Sequence, residues 1–213
     1  MAIYDQGFLG RFLGKLGPAV GATWRGKNVI KAMPKKSSKP PTQKQLVQQA
    51  TFSLAVKLVS GLDPFIKYGY QNSGDITPAN AAVKQVLRDA IIGLFPAISI
   101  DHSKVLISKG GLQMPEAGEM VIQPNGIDVK VSWEEPLDAV RATDIAMIVF
   151  HDTVNGYFKY SGAQVFRSAL TTNFRTTTLF EGHEVVAWIF FRSADGKLVS
   201  NSEFLGKIVI PIS

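Results

Sequence analysis

Side chains able to act as catalysts or metal ligands are sparse in this chain. It has three histidines, His102, His151 and His183, and no cysteine. His151-Asp152 precedes an Asn155-Gly156 pair, and Glu181-Gly182-His183-Glu184 precedes an apolar run. A catalytic or metal-binding role requires these groups to converge in the fold. Their spacing matches no ligand motif, HExxH included, and the simpler reading is ordinary loop and strand-end residues. Without cysteine, thiolate catalysis, disulfides and cysteine-based metal sites are excluded, while the compartment stays open.

Carboxylates and hydroxyls are no more suggestive. Glu134-Glu135 is at most one half of an acid–base pair, and the plainer reading is a solvated strand end. Ser161-Gly162 and Ser168 lack the context of a nucleophile elbow. GxxxxGK[ST] is absent, and no GxGxxG follows a strand. The expectation is a non-enzymatic protein with no catalytic, cofactor-binding or metal-binding residue.

Charge is the stronger signal. The chain has 213 residues and a formal charge of +6. Residues 1–45 hold nine Lys/Arg against the single acid Asp5, or +8; residues 46–213 hold fourteen bases and sixteen acids, or −2. Such an arm meets something negative: nucleic acid, an anionic surface, or an acidic face of a neighbouring subunit. Candidate anion contacts are Arg25, Lys27, Lys31, Lys35, Lys36 and Lys39. Phe8, Phe12 and Trp24 could stack bases, but no nucleic-acid-binding signature accompanies them.

The same arm carries glycines at spacings of 3, 4, 3 and 4: Gly7, Gly10, Gly14, Gly17 and Gly21. On a helix they would form one smooth stripe for close backbone approach. Each interior glycine costs a helix roughly 1 kcal/mol, and Pro18 interrupts the run, which favours extended structure from Ala19. VGATW and NVIKAM around Arg25-Gly26-Lys27 read as a short hairpin. An arm this short cannot bury its own Phe and Leu residues. It docks on its own body or on a neighbour, and in the second case Gly7, Phe8, Gly10, Phe12, Gly14, Gly17, Gly21 and Trp24 form the assembly surface.

Elements that would hold these residues can be read in order. Pro34–Pro41 is a polar, proline-bounded connector. Thr42 with Gln45 opens a helix that ends at Gly61 and carries Leu46, Ala50, Leu54 and Leu58 at four-residue steps, thickened by Val47 and Ala55. Thr77-Pro78 starts a second helix, with Val83, Val86, Leu87, Ala90, Ile91 and Leu94 on one face and Pro96 as its stop. From Ala97 the period becomes two. Ile127, Val129, Val131 and Trp133 alternate with polar residues, Ile145–Phe150 is a continuous apolar strand, and Val186, Trp188 and Phe190 share a face. Asn125-Gly126, Asn155-Gly156 and Asp195-Gly196 mark hairpins, giving about seven or eight antiparallel strands.

The run GKLGPAVGATWRGKNVIKAMPKK, then KPPTQKQLVQQATF, resembles the N-terminal signature of an uncharacterised Bacteroidota family, domain-of-unknown-function family 6266. ADGKLVSNSEFLGKI is similar to that family's last hairpin. The resemblance implies a helical region followed by a β-rich domain, and brings no activity, cofactor or catalytic residue. A similar layout occurs in some phage structural proteins, an analogy that favours assembly.

Together these readings predict an α+β chain. An arm and connector (1–41) lead to a helical pair (42–96) and an antiparallel immunoglobulin-like β-sandwich (97–213). The leading expectation is a self-assembling structural subunit that forms homo-oligomers through its arm; the alternative is a nucleic-acid-associated protein using the same lysines. No run is long enough to span a bilayer, and no signal peptide is visible. Synthesis in the cytoplasm is therefore expected, with later incorporation into a particle or extracellular assembly left open.

Overall fold

Among the described N-terminal residues, Gly14 and Gly21 lie in strands and Gly17 in a turn, not on one helix. The structure, a computed structural model, describes residues 2–4, 12–24, 26–35, 38–126, 128–134, 141–161 and 165–212. Strands β1 (Ala2–Tyr4), β2 (Gly14–Leu16), β3 (Ala19–Trp24) and β4 (Lys27–Ala32) form an antiparallel sheet in the order β1-β4-β3-β2. Gly17, at φ +55°, takes the first of two turn positions between the paired Leu16 and Ala19, with Pro18 second. That conformation is open to glycine at no steric cost. Trp24 pairs with Lys27 across the expected hairpin, with Gly26 at φ +76° and Arg25 outside the described residues. The first 42 residues make one compact unit and residues 43–213 a second.

In the second unit three helices come first: α1 (Gln43–Gly61), α2 (Asp63–Gly69) and α3 (Pro78–Asp89). A two-residue hairpin follows, β5 (Ile91–Ile92) with β6 (Ser99–Ile100). Eight strands complete the fold: β7 (Glu116–Ile122), β8 (Asp128–Glu134), β9 (Ile145–Asp152), β10 (Phe158–Tyr160), β11 (Val165–Phe166), β12 (Thr171–Arg175), β13 (Glu184–Arg192) and β14 (Glu203–Val209). They form two antiparallel sheets. One has the order β10-β9-β13-β14 with β11 also paired to β9; the other is β12-β8-β7. All three Asx-Gly dipeptides lie in turns between paired strands: β7 to β8, β9 to β10, and the extended β13–β14 hairpin closed by an Arg192–Val199 bridge.

Period-two alternation explains how the layers stack. Val129, Val131 and Trp133 of β8 face Ala146, Ile148 and Phe150 of β9 and Val185, Ala187, Ile189 and Phe191 of β13, with Phe174 and Met120 between them. The other faces of β9 and β13 present Val149, Val186, Trp188 and Phe190 to Ala55, Leu58, Val59, Leu62, Phe65, Ile66 and Val86 of the helical segment. The larger sheet is thus the middle layer, and the fold is an antiparallel β-sandwich with helices on one face. A strand buried on both faces reads as a continuous apolar run, as 185–191 does.

Several expectations are corrected. The helical region holds three helices rather than a pair. Asp63-Pro64 starts the extra one with proline in its first turn, and an exposed Lys67–Asp63 ion pair of 2.8 Å spans it. In α1 the expected Ala55 and Leu58 are buried and Val59 joins them, while Leu46 at the start of the expected row is exposed. The second predicted helix ends at Asp89, seven residues before Pro96. Ile91 and Ile92 pair as β-branched residues do in strands, and Leu94 is 86% exposed. The helices do not precede a separate sandwich but share a core with its larger sheet.

Candidate functional site

Three places could carry function: the N-terminal sheet, the histidines, and a cleft beside α3. Of the candidate arm residues, Gly7, Phe8, Gly10, Arg25 and Lys36 lie outside the described residues. Pairing register sorts the remainder. Lys31 is opposite Val20, which is opposite Lys15, and Lys27 is opposite Trp24. Directly opposed residues share a face, so Lys15, Lys27, Lys31 and Trp24 lie on one side of the sheet. Gly14 pairs with Gly21 on the other side, where the ring and carbonyl of Phe12 occupy the place a Cβ on Gly21 would take. The sheet therefore separates Trp24 from the glycines with which the sequence had grouped it, and joins it to the lysines. Lys35 and Lys39 are exposed in the connector.

Two of the three histidines converge. His102 follows β6 and His151 lies near the end of β9; their ring centres are 5.6 Å apart. His151 stacks on Phe158 at 4.1 Å, and its Nδ1 lies 3.3 Å from the Tyr157 carbonyl. The indole N–H of Trp188 donates to the His102 carbonyl at 3.2 Å. His102, His151 and Phe158, with Leu54, Lys57 and Leu58 of α1, line a cavity of about 340 Å³. Burial lowers the pKa of His102 and pushes that of His151 down to about 4, so both imidazoles are uncharged at neutral pH.

His183 is apart from this pair. Its Nδ1 lies 3.0 Å from Asp152 Oδ2, and successive residues of a strand point to opposite faces. Asp152 is buried, and its other oxygen accepts from the amides of Val154 (2.8 Å) and Asn155 (3.2 Å). Burial pushes this carboxyl up, but those amides and His183 outweigh it and hold it below its ordinary value. Asp152 thereby pins the Asn155-Gly156 turn. Among the described residues no three His, Asp or Glu groups could hold a metal ion. Glu134 sits opposite Glu116 across β7 and β8, both exposed; Glu135 and Gly162 lie outside the described residues.

The cleft was not foreseen. Lys84 and Arg88 stand one turn apart on α3, and Lys109 faces them from the segment before β7. With Tyr70, Asn72, Ser73, Gly111 and Asn201 they enclose about 550 Å³. Its floor is fixed by hydrogen bonds. The Tyr70 hydroxyl donates to the Leu106 carbonyl at 2.9 Å; the buried Gln85 amide donates to Lys104 O at 2.8 Å and accepts from the Leu106 amide at 3.1 Å. Asn201 Oδ1 accepts from the Gly110 amide at 3.1 Å. Gly69 and Gly110 allow the backbones to touch, since a Cβ would land on Ile107 O or Val199 O. The i, i+4 spacing of Lys84 and Arg88 is legible in sequence, but nothing there joins it to Lys109.

The structure can be set beside known ones. The fn3 domain of human contactin 1 is similar at 8% identity, with 57% of this chain and 93% of that one covered and a TM-score of 0.36. The twitchin kinase region from C. elegans is similar at 19% identity over 46% of this chain and 17% of that one, with a TM-score of 0.33. Comparison with curated proteins finds no match. A family model matches residues 11–206, from the strands of the N-terminal sheet through the helices to β14, and on that span the chain belongs to the family of unknown function DUF6266.

Proposed function

We propose that this protein is a non-enzymatic structural subunit that self-assembles, with its N-terminal sheet docking on a second copy. One observation carries the reading. Of the described residues in 12–35, Gly21 and Val29 alone are buried, while Leu13, Leu16, Trp24 and Met33 are 56%, 65%, 49% and 38% exposed. A unit this small cannot supply its own core and gains stability by covering such residues with another surface. β2 has β3 on one side and no strand on the other among the described residues, an edge suited to strand addition. On this reading the body is an immunoglobulin-like sandwich presented by the assembling sheet, in a particle, a fibre or a surface layer.

Size-exclusion chromatography with light scattering tests this. The full chain is expected to give an oligomer and residues 43–213 a monomer; equal masses per chain would reject it. A second reading, nucleic-acid binding, is favoured by the register that gathers Lys15, Lys27, Lys31 and Trp24 on one face. It predicts single-strand affinity that falls steeply with salt and weakens in Lys27→Ala/Lys31→Ala. Binding that ignores salt, or none at all, would eliminate it.

A further inference from the structure

We propose that the cleft beside α3 is a binding site for a small phosphorylated molecule. Charge is the first argument. Residues 46–213 carry a net charge of −2, yet Lys84, Arg88 and Lys109 converge on one cleft whose lining has no carboxylate. Asp89 neutralises only part of this: Arg88 donates to it through Nε and Nη2, each at 2.7 Å. Lys84 and Lys109 form no ion pair with an acid among the described residues; Asp89 attracts Lys109 only at longer range, so one carboxylate faces three cations, whose like charges repel. An anion between them removes that cost and forms charge-assisted hydrogen bonds with both ammonium groups.

Pre-organisation is the second argument. The groups that hold the cleft open are buried or tied down: Gln85 bridges α3 to Lys104 and Leu106, Tyr70 is fastened to Leu106, and Lys109's own amide donates to Gly69 O at 2.9 Å. Asn201 spends its carbonyl oxygen on Gly110, which turns its amide N–H₂ group toward other acceptors. Asn72 and Ser73 add polar edges, and Tyr70 and Ile76 an apolar wall. A volume of about 550 Å³ takes a molecule of metabolite size and excludes a folded partner. Three cations together with hydroxyl- and amide-bearing lining residues suit a phosphate group joined to a polar body.

The site is independent of assembly through the N-terminal sheet. Isothermal titration of the full chain with inorganic pyrophosphate at low salt tests it. Saturable one-to-one binding is expected. Lys84→Ala/Lys109→Ala should weaken it by about tenfold or more, whereas Lys27→Ala/Lys31→Ala should leave it unchanged. Both cleft lysines are exposed, so their truncation removes no packing and the unfolding midpoint should not fall. Asn201→Asp is a second variant, of equal size and still able to accept from Gly110; its added carboxylate should also weaken binding. The proposal fails if pyrophosphate gives no saturable heat, if the cleft variants bind as the parent does, or if a single-stranded oligonucleotide binds where pyrophosphate does not.

Discussion

Burial of His151 beneath Phe158, beside His102 and Trp188, has a thermodynamic consequence that can be measured. Its folded pKa is about 4 against an ordinary 6.5, with burial the largest cause. Between those values the unfolded chain binds a proton that the folded chain refuses, so stability falls as pH falls through this window. It is fully present above about 6.5. A shift of this size corresponds to about 3 kcal/mol. His102, also lowered by burial, acts in the same direction. Asp152, held low, adds a separate loss through the carboxylate range, while Asp144 and Glu203, pushed up by burial, oppose it. Comparison with His151→Leu isolates the histidine. Urea midpoints should drop from pH 7 to pH 4.5 in the parent and drop less in the variant; parallel losses would assign the effect elsewhere.

Among the elements, α3 shows what local sequence can specify. The Thr77 hydroxyl accepts from the Asn80 amide at 3.3 Å and Pro78 follows at the first turn, as the Thr-Pro pair implied. Removing that cap in Thr77→Ala should cost about 1 kcal/mol, read from chemical denaturation; no change would mean that packing alone holds the helix end. The Thr77 cap, the Asx-Gly turns and the alternation of Val129, Val131 and Trp133 are encoded within a few residues, and these were legible. Less so was the far end of α3. There the pairing of Ile91 with Ile100 prevails over a helical pattern that continued to Leu94. Leu46 of α1 is exposed for a related reason: how far along a helix its apolar stripe is covered depends on what packs beneath it. In the cleft, Lys84 and Lys109 are 25 positions apart, and only the path from α3 through β5 and β6 brings them together. The separation of Trp24 from Gly14 and Gly21 likewise needed the register of a sheet, not the spacing of a run.

For the molecule as a whole, the two units should behave unequally. Residues 43–213 contain both apolar cores, and the helices and the two sheets are joined through β9 and β13. This fragment should unfold in a single transition, with far-UV and near-UV signals coincident. A peptide of residues 1–42 should give a coil spectrum alone, because strands without a core are marginal in water. A cooperative melt of that peptide would show that the sheet needs no covering surface, and would weaken the case for assembly.

β13 sits between β9 and β14, with Val185 to Phe191 almost wholly excluded from solvent on either face. Loss of either covering layer does not reach its middle, and only detachment of the edge strand β14 would open one side of it. Peeling away the helices leaves the smaller sheet over it, and loss of the smaller sheet leaves the helices. In deuterium those of its central amides that bond to β9 should therefore exchange only when the entire unit unfolds, and their rate becomes a clock for global opening.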